Sequence, residues 1–450
     1  MKKLLLYLSA GALLFLSACG NDDDGPVTDP LDTELTAALE AAANGAGVSF
    51  FRLPESDDFS AIPQDVKNPI TTEKVTLGRL LFHETGIGSK PKVAEGAITY
   101  SCASCHHAQA GFQAGVHQGI GEGGQGFGLA GEGRVPNPNY EADKIDVQPI
   151  RSPSALNIAY QTNILWNGQF GATNLNVGTE AQWTLGTPKA VNSLGFEGTE
   201  TQAIAGMDVH RLAFANSLLQ LDQDYVDMFA AAFPEVPVDD RYDNETAGLA
   251  IAAYERTMLA NRAPFQQWLN GNQAALTDAQ KRGAILFFDK ARCYTCHTGP
   301  ALATMEFHAL GMGDLDQAGN TIVGVVDEAT RRGRGGFTQN PNDNYKFKVP
   351  QLYNLKDSPF YGHGSTFTSV REVLEYKNNA VPENTAVPAG QLAAEFQPLG
   401  LSSDEIADLV AFIEEGLYDA ELTRYLPSQL VSGNCFPNND AISQTDLGCN

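Results

Sequence analysis

The stretch "SCASCHHAQAGF", residues 101–112, decides how the rest of the chain is read. Within it, Cys102, Cys105 and His106 form C-x-x-C-H. At that spacing two thiols can add to the vinyl groups of a porphyrin while the adjacent imidazole ligates its iron. A zinc or redox C-x-x-C does not require the histidine. The pattern returns in "RCYTCHTG", where Cys293, Cys296 and His297 repeat it. Two copies make coincidence a poor explanation. The sequence therefore predicts two covalently attached c-type haems, with His106 and His297 as the proximal ligands. His107, next to a ligand, is expected to face elsewhere.

Upstream of each motif lies a segment of helical apolar spacing with G-x-x-L-F, at Gly78–Phe82 and again at Gly283–Phe287. Downstream, "SPSALNIAYQTNILWNGQF" and "VPQLYNLKDSPFYGHGSTF" share a proline (Pro153, Pro350), an asparagine (Asn157, Asn354) and a closing phenylalanine (Phe170, Phe367) at equal offsets. Trp166 in one block stands where His363 stands in the other. Near the end, "SSDEIADLVAFIEEGL" places Ile406, Leu409, Val410 and Ile413 on one helical stripe behind a serine cap. The pattern predicts a mainly α fold. Two class I cytochrome c-like haem domains, related by internal duplication, carry long loops.

The start of the chain, "MKK" followed by "LLLYLSAGALLFL" and "LSAC", reads as an export signal. Leu16–Cys19 resembles a lipobox, in which Cys19 would be lipidated; an ordinary signal peptide cut nearby is the alternative. Either reading makes the protein exported, with a lipid tether in the cell envelope (periplasmic side or outer surface) as the expected membrane link. The polar, acidic "GNDDDGPVTDP" behind Cys19 reads as a linker. The formal net charge of −25 argues against nucleic acid, which needs a basic stripe. It suits a basic partner such as a small cytochrome, or simply solubility. Of seven cysteines, one is in the lipobox and four are in the haem motifs. Elimination in an oxidising compartment then pairs Cys435 with Cys449.

Taken together, "CASCHHAQAGF", "RSPSALNIAY…WNG", "LFFDKARCYTCHTGP", "FKVPQLYNL", "GHGSTFTSVREVLEY" and the final helix resemble the bacterial dihaem cytochrome c peroxidases, including the branch that matures methylamine dehydrogenase. The resemblance implies a peroxidatic haem in the N-terminal half and an electron-relay haem in the C-terminal half. It also implies hydrogen peroxide as substrate and a small cytochrome or cupredoxin as donor. A calcium ion between the domains and a homodimer are further implications. Within the family pattern, His117 falls in the loop that can cap the first iron, though a surface loop histidine is the alternative. Glu197, Glu200 and His210 are the candidates for the distal acid–base. Trp166 is the candidate for electron transfer, and His363 for support of the loop between the haems. The sixth ligand of the relay haem falls on or beside Tyr376 and Lys377; Met312 is a further possible ligand, and Met312 and Met305 are expected to line its pocket. Tyrosine there would favour a maturase-like oxidase of a protein or peptide, and a dihaem electron carrier is the non-catalytic alternative.

The expected organisation is a signal peptide at 1–19, an acidic linker and N-terminal segment at 20–55, the first haem domain at 56–272, the second at 273–425, and a disulfide-bearing tail at 426–450.

Overall fold

The computed structural model describes residues 29–318, 321–322 and 326–449. The export signal and Cys19 lie outside the described residues. The helices, in order, are α1 (Pro30–Ala42), α2 (Thr72–His83), α3 (Gly198–Val209), α4 (Gln223–Ala232), α5 (Asn244–Arg256) and α6 (Pro264–Leu269). They continue with α7 (Asp278–Phe288), α8 (Glu328–Arg331), α9 (Arg334–Thr338), α10 (Val370–Asn379), α11 (Ser403–Ala411) and α12 (Ala441–Asp446). Among the described residues, strands are confined to two antiparallel two-residue ribbons: β1 (Gly124–Gln125) with β2 (Val135–Pro136), and β3 (Phe307–His308) with β4 (Phe347–Lys348). Among the same residues, no helix is long and apolar enough to cross a membrane.

Two helix pairs organise the molecule, α2 with α5 and α7 with α11. Each helix starts on a side-chain cap that satisfies an otherwise orphaned amide. Thr71 accepts from the Lys74 amide on α2 and Asp243 from the Thr246 amide on α5. Reciprocal capping boxes, Thr277 with Gln280 and Ser402 with Glu405, open α7 and α11. The glycine of each G-x-x-L-F sits at the crossing. A Cβ on Gly78 would lie 1.9 Å from the Ala250 carbonyl oxygen, and one on Gly283 would lie 2.0 Å from the Asp408 carbonyl oxygen. Only glycine permits that approach of two backbones. The closing helix of the first half is α5. Its alanine-rich run gives little amphipathic contrast in the sequence, because nearly every face is buried.

The Pro–Asn blocks repeat their contacts too. Asn157 and Asn354 both adopt left-handed backbone, with φ of 57° and 55°. The side-chain oxygen of Asn157 accepts from the Ala260 amide, and that of Asn354 from the Asp419 amide. Across the junction the halves exchange backbone hydrogen bonds. Arg151 N–H donates to the His363 carbonyl at 2.9 Å, and Lys348 N–H to the Trp166 carbonyl at 2.7 Å.

The chain ends cross over between the two halves. The segment expected to be linker folds from Pro30 onward as α1, which packs on α7 of the second half. There Lys281 reaches Asp29 and Asp32 at 2.8 Å each. α6, expected in the first domain, stacks Phe265 on Phe288 and meets Phe412 edge-on, both in the second half. The C-terminal tail instead returns to the first half. Ser101 and Ser104, at the first motif, donate to the Pro437 carbonyl, and Cys435 and Cys449 are bridged.

Candidate haem sites and their surroundings

Both C-x-x-C-H motifs open on a single 3-10 turn, Cys102–Ser104 and Cys293–Thr295. His106 Nδ1 lies 3.2 Å from the Phe112 carbonyl oxygen, and His297 Nδ1 lies 3.1 Å from that of Leu302. A carbonyl can only accept, so Nδ1 carries the proton and Nε2 keeps its lone pair for a metal. The carbonyls of Pro153 and Pro350, at equal offsets in the two blocks, also reach these two rings. Burial pushes both imidazoles down to about 4, so each stays neutral and able to ligate. Burial also pushes the Cys105 and Cys293 thiols up to about 12, which disfavours the reactive thiolate of a redox pair.

The second motif faces a cavity of about 670 Å³, lined by Cys293, Cys296 and His297 together with apolar side chains of α10 and α11. That volume suits a large cofactor. At the first motif the backbone comes close. A Cβ on Gly119 would stand 2.9 Å from the Cys105 sulfur. The donor set fits a covalent haem at each motif, and the cavity provides the space for one at the second. Among the described residues, the only other cluster with metal-ligand chemistry is Cys296, Glu306 and His308, which shares a motif cysteine.

The structure sorts the remaining candidates. His210, at the C-terminal end of α3, brings Nδ1 to 2.9 Å from the buried carboxylate of Asp146. Its charge reaches His106, where it adds to burial in lowering that ring. Burial opposes protonation of His210 itself, but the charge and hydrogen bond of Asp146 outweigh it and raise the pKa. Asp146 shifts the other way: burial would raise it, and His210 with Arg211 brings it below the usual carboxylate range. Asp146, in the loop "KIDVQP", carries no spacing signal in the sequence.

Glu200 and Glu197 are correspondingly poor candidates for acid–base work. Both carboxylates are committed to Arg256 of α5, Glu200 at 2.6 Å with both partners fully buried and Glu197 at 3.0 Å. This ion pair ties α3 to α5. Beside it, Glu255 is buried with Oε2 lacking a hydrogen-bond partner. Burial, then the charge of Glu200, pushes its carboxyl up to about 8.

His107 is buried against Phe127, as a bystander would be. The His117 ring packs on Phe360 at 5.3 Å, and its carbonyl accepts from Ser365. Trp166 lines the second cavity and donates Nε1–H to the Arg151 carbonyl at 2.9 Å. Its ring meets His363 edge-on at 6.2 Å. His363 stacks on Phe347 and approaches Asp314 at 3.3 Å. The Arg151 guanidinium, fully buried, binds the carbonyls of Ala114 and Val116 behind the first motif and the hydroxyl of Ser358 in the second half. Met312 lines the second cavity, whereas Met305 is not among the residues lining it. Tyr376 also turns away, its hydroxyl donating to the Leu310 carbonyl at 2.5 Å within a cluster of Phe367 and Phe396. Lys377, one residue on, lines the cavity instead.

Residues 72–274 match the family model described as di-haem cytochrome c peroxidase. Over those residues the chain is similar to that family. It is 29% identical over 405 residues to the cytochrome-c peroxidase IdrP1 of Denitromonas iodatirespirans, covering 84% of this chain and 90% of the relative. It is also 29% identical over 369 residues to the methylamine utilization protein MauG of Methylorubrum extorquens, covering 81% and 82%. A solved MauG-like protein associated with microbial copper homeostasis shares the fold, with a TM-score of 0.56 at 24% identity, over 82% of this chain and 95% of that one.

Proposed function

We propose that this chain is an exported, lipid-anchored enzyme with two covalent haems, which reduces hydrogen peroxide in its N-terminal half and receives electrons through its C-terminal half. The observation that carries the reading is the His210–Asp146 pair beside His106. A haem held by Cys102, Cys105 and His106 would supply the iron at which peroxide is reduced. Asp146 fixes the proton on His210 Nδ1, leaving Nε2 as the atom that takes a proton from one peroxide oxygen and returns it to the other. Buried Asp146 also stabilises the imidazolium formed between those two transfers.

The C-terminal half supplies the route for electrons. His297, Cys293 and Cys296 would hold the second haem, and Trp166 lines the same cavity as these residues. Trp166 is hydrogen-bonded to Arg151, two residues before the Pro153 carbonyl that reaches His106. The shared glycine crossings, Asn turns and exchanged backbone bonds support an origin of the two halves by duplication.

The test is the transient reaction of the reduced holoprotein with peroxide. His210→Ala should slow it about 100-fold or more, the contribution expected of a positioned acid–base. A variant with two haems and the unaltered rate would overturn the assignment. Equal identity to MauG supports a second reading, oxidation of a protein side chain. Turnover of peroxide with small one-electron donors alone favours the first reading.

A further inference from the structure

The C-terminal cavity contains a side chain that the peroxide chemistry does not use. On α10, Val370, Val373, Leu374 and Lys377 recur at helical spacing and all line the cavity. Three are apolar, as a porphyrin face requires. The fourth ends in an amine that makes no hydrogen bond or ion pair with any described residue. Lys377 is half-buried, and lysine is a strongly hydrated cation that seldom projects into an apolar cavity without a partner. Lys377 and His297 line the same cavity, so the two side chains share one site.

The alternatives on the same wall are otherwise engaged or weaker donors. Tyr376 donates its hydroxyl to the Leu310 carbonyl and does not line the cavity. Met312 lines the cavity beside Gly362, but a thioether neither needs nor rewards a polar partner as an amine does. A neutral primary amine is a nitrogen donor of the kind that iron accepts alongside imidazole.

We propose that Lys377 Nζ is the sixth ligand of the iron whose proximal ligand is His297. The inference rests on the reading that the second motif holds a haem. Ligation takes the amine as R–NH2, so one proton leaves Lys377 for solvent, one N–Fe bond forms, and no electron is transferred. Two nitrogen ligands make this iron low-spin and closed to peroxide, which leaves reaction with peroxide to the N-terminal site.

The holoprotein grown with 15N-lysine provides the test. Haem content by pyridine haemochrome and intact mass comes first, and fewer than two haems would overturn the cofactor reading itself. With two haems present, pulsed EPR of the low-spin ferric signal should show hyperfine coupling to the labelled amine. Lys377→Met and Lys377→Ala should each replace that signal, while Tyr376→Phe and Met312→Leu should leave it unchanged. Two haems with no 15N-lysine coupling would overturn Lys377 ligation alone, as would a low-spin signal that only Met312→Leu alters. The labelling experiment uses the natural sequence, so its result does not depend on any variant folding.

Discussion

Replacing Asp146 with asparagine isolates the charge of the His210 pair from its geometry. Asparagine can still accept the Nδ1–H through its side-chain oxygen, so the ring keeps its orientation. What is lost is the charge-assisted part of a 2.9 Å hydrogen bond. Hydrogen bonds to charged groups contribute about 1.5–3 kcal/mol. The His210 side chain is 36% exposed while Asp146 is buried, so solvent screening places the effect at the low end. At roughly 1.4 kcal/mol per pKa unit, the His210 pKa should fall by about one unit. The direction follows from the groups around it. Asp146 raises the His210 pKa, while burial and Arg211 oppose protonation; removing the carboxylate leaves only the opposing influences. Neutral Nε2 is the active form, so the rate of reaction with peroxide should rise with pH through the His210 pKa. In Asp146→Asn that acid limb should move to lower pH by about one unit. Stopped-flow rates from about pH 4.5 to 9, a range that brackets the ordinary histidine value, would measure it. An acid limb that stays in place, or moves upward, would remove His210 from the chemistry. Stability shows the complementary sign. The His210 contribution is fully present below its ordinary value of about 6.5 and is lost as pH rises through its raised folded pKa. The Asp146 contribution is present above its ordinary value and is lost as pH falls through its lowered one.

The glycine crossings should behave alike: Gly78→Ala and Gly283→Ala each force a methyl into a backbone carbonyl and should cost about 1–3 kcal/mol or more, read as a lowered thermal midpoint. Glu200→Gln breaks a fully buried ion pair and should lower stability by about 3–5 kcal/mol, with the peroxide rate per folded holoprotein unchanged. A rate loss without a stability loss would return Glu200 to the chemistry. Trp166→Phe removes the bond to the Arg151 carbonyl, at a cost of about 1 kcal/mol. It should slow steady-state turnover while sparing the first reaction with peroxide, a separation that paired steady-state and stopped-flow measurements would detect.

Much of this organisation is legible in the residues. C-x-x-C-H, the two glycine helices and the Pro–Asn blocks are local patterns, and each serves a local contact: a proximal ring, a helix crossing, a left-handed turn. What the residues do not reveal are relations between distant segments. Nothing in "KIDVQP" announces that Asp146 will meet His210, because their pairing depends on where the C-terminal end of α3, 64 residues later, comes back to that loop. Glu200 reads as a distal acid because it falls in the stretch where the family keeps one. Its partner Arg256 lies far along the chain on a helix whose burial on nearly every face hides its periodicity. Tyr376 and Lys377 differ by one residue. One helical step separates the side chain that lines the cavity from the one packed into the adjoining hydrophobic cluster, and that step is finer than a motif count can resolve. The crossover of the chain ends, α1 onto α7 and the tail onto the first motif, likewise has no local signature.

Low-temperature EPR of the holoprotein asks outright whether one iron is open to peroxide and the other closed. Spectra would be taken as isolated, after one-electron reduction, and again after addition of hydrogen peroxide. A high-spin ferric component, at rest or on reduction, should be removed by peroxide, beside a low-spin component that peroxide does not bind. Two low-spin signals in every state, with neither responding to peroxide, would contradict this division of labour and make the protein an electron carrier.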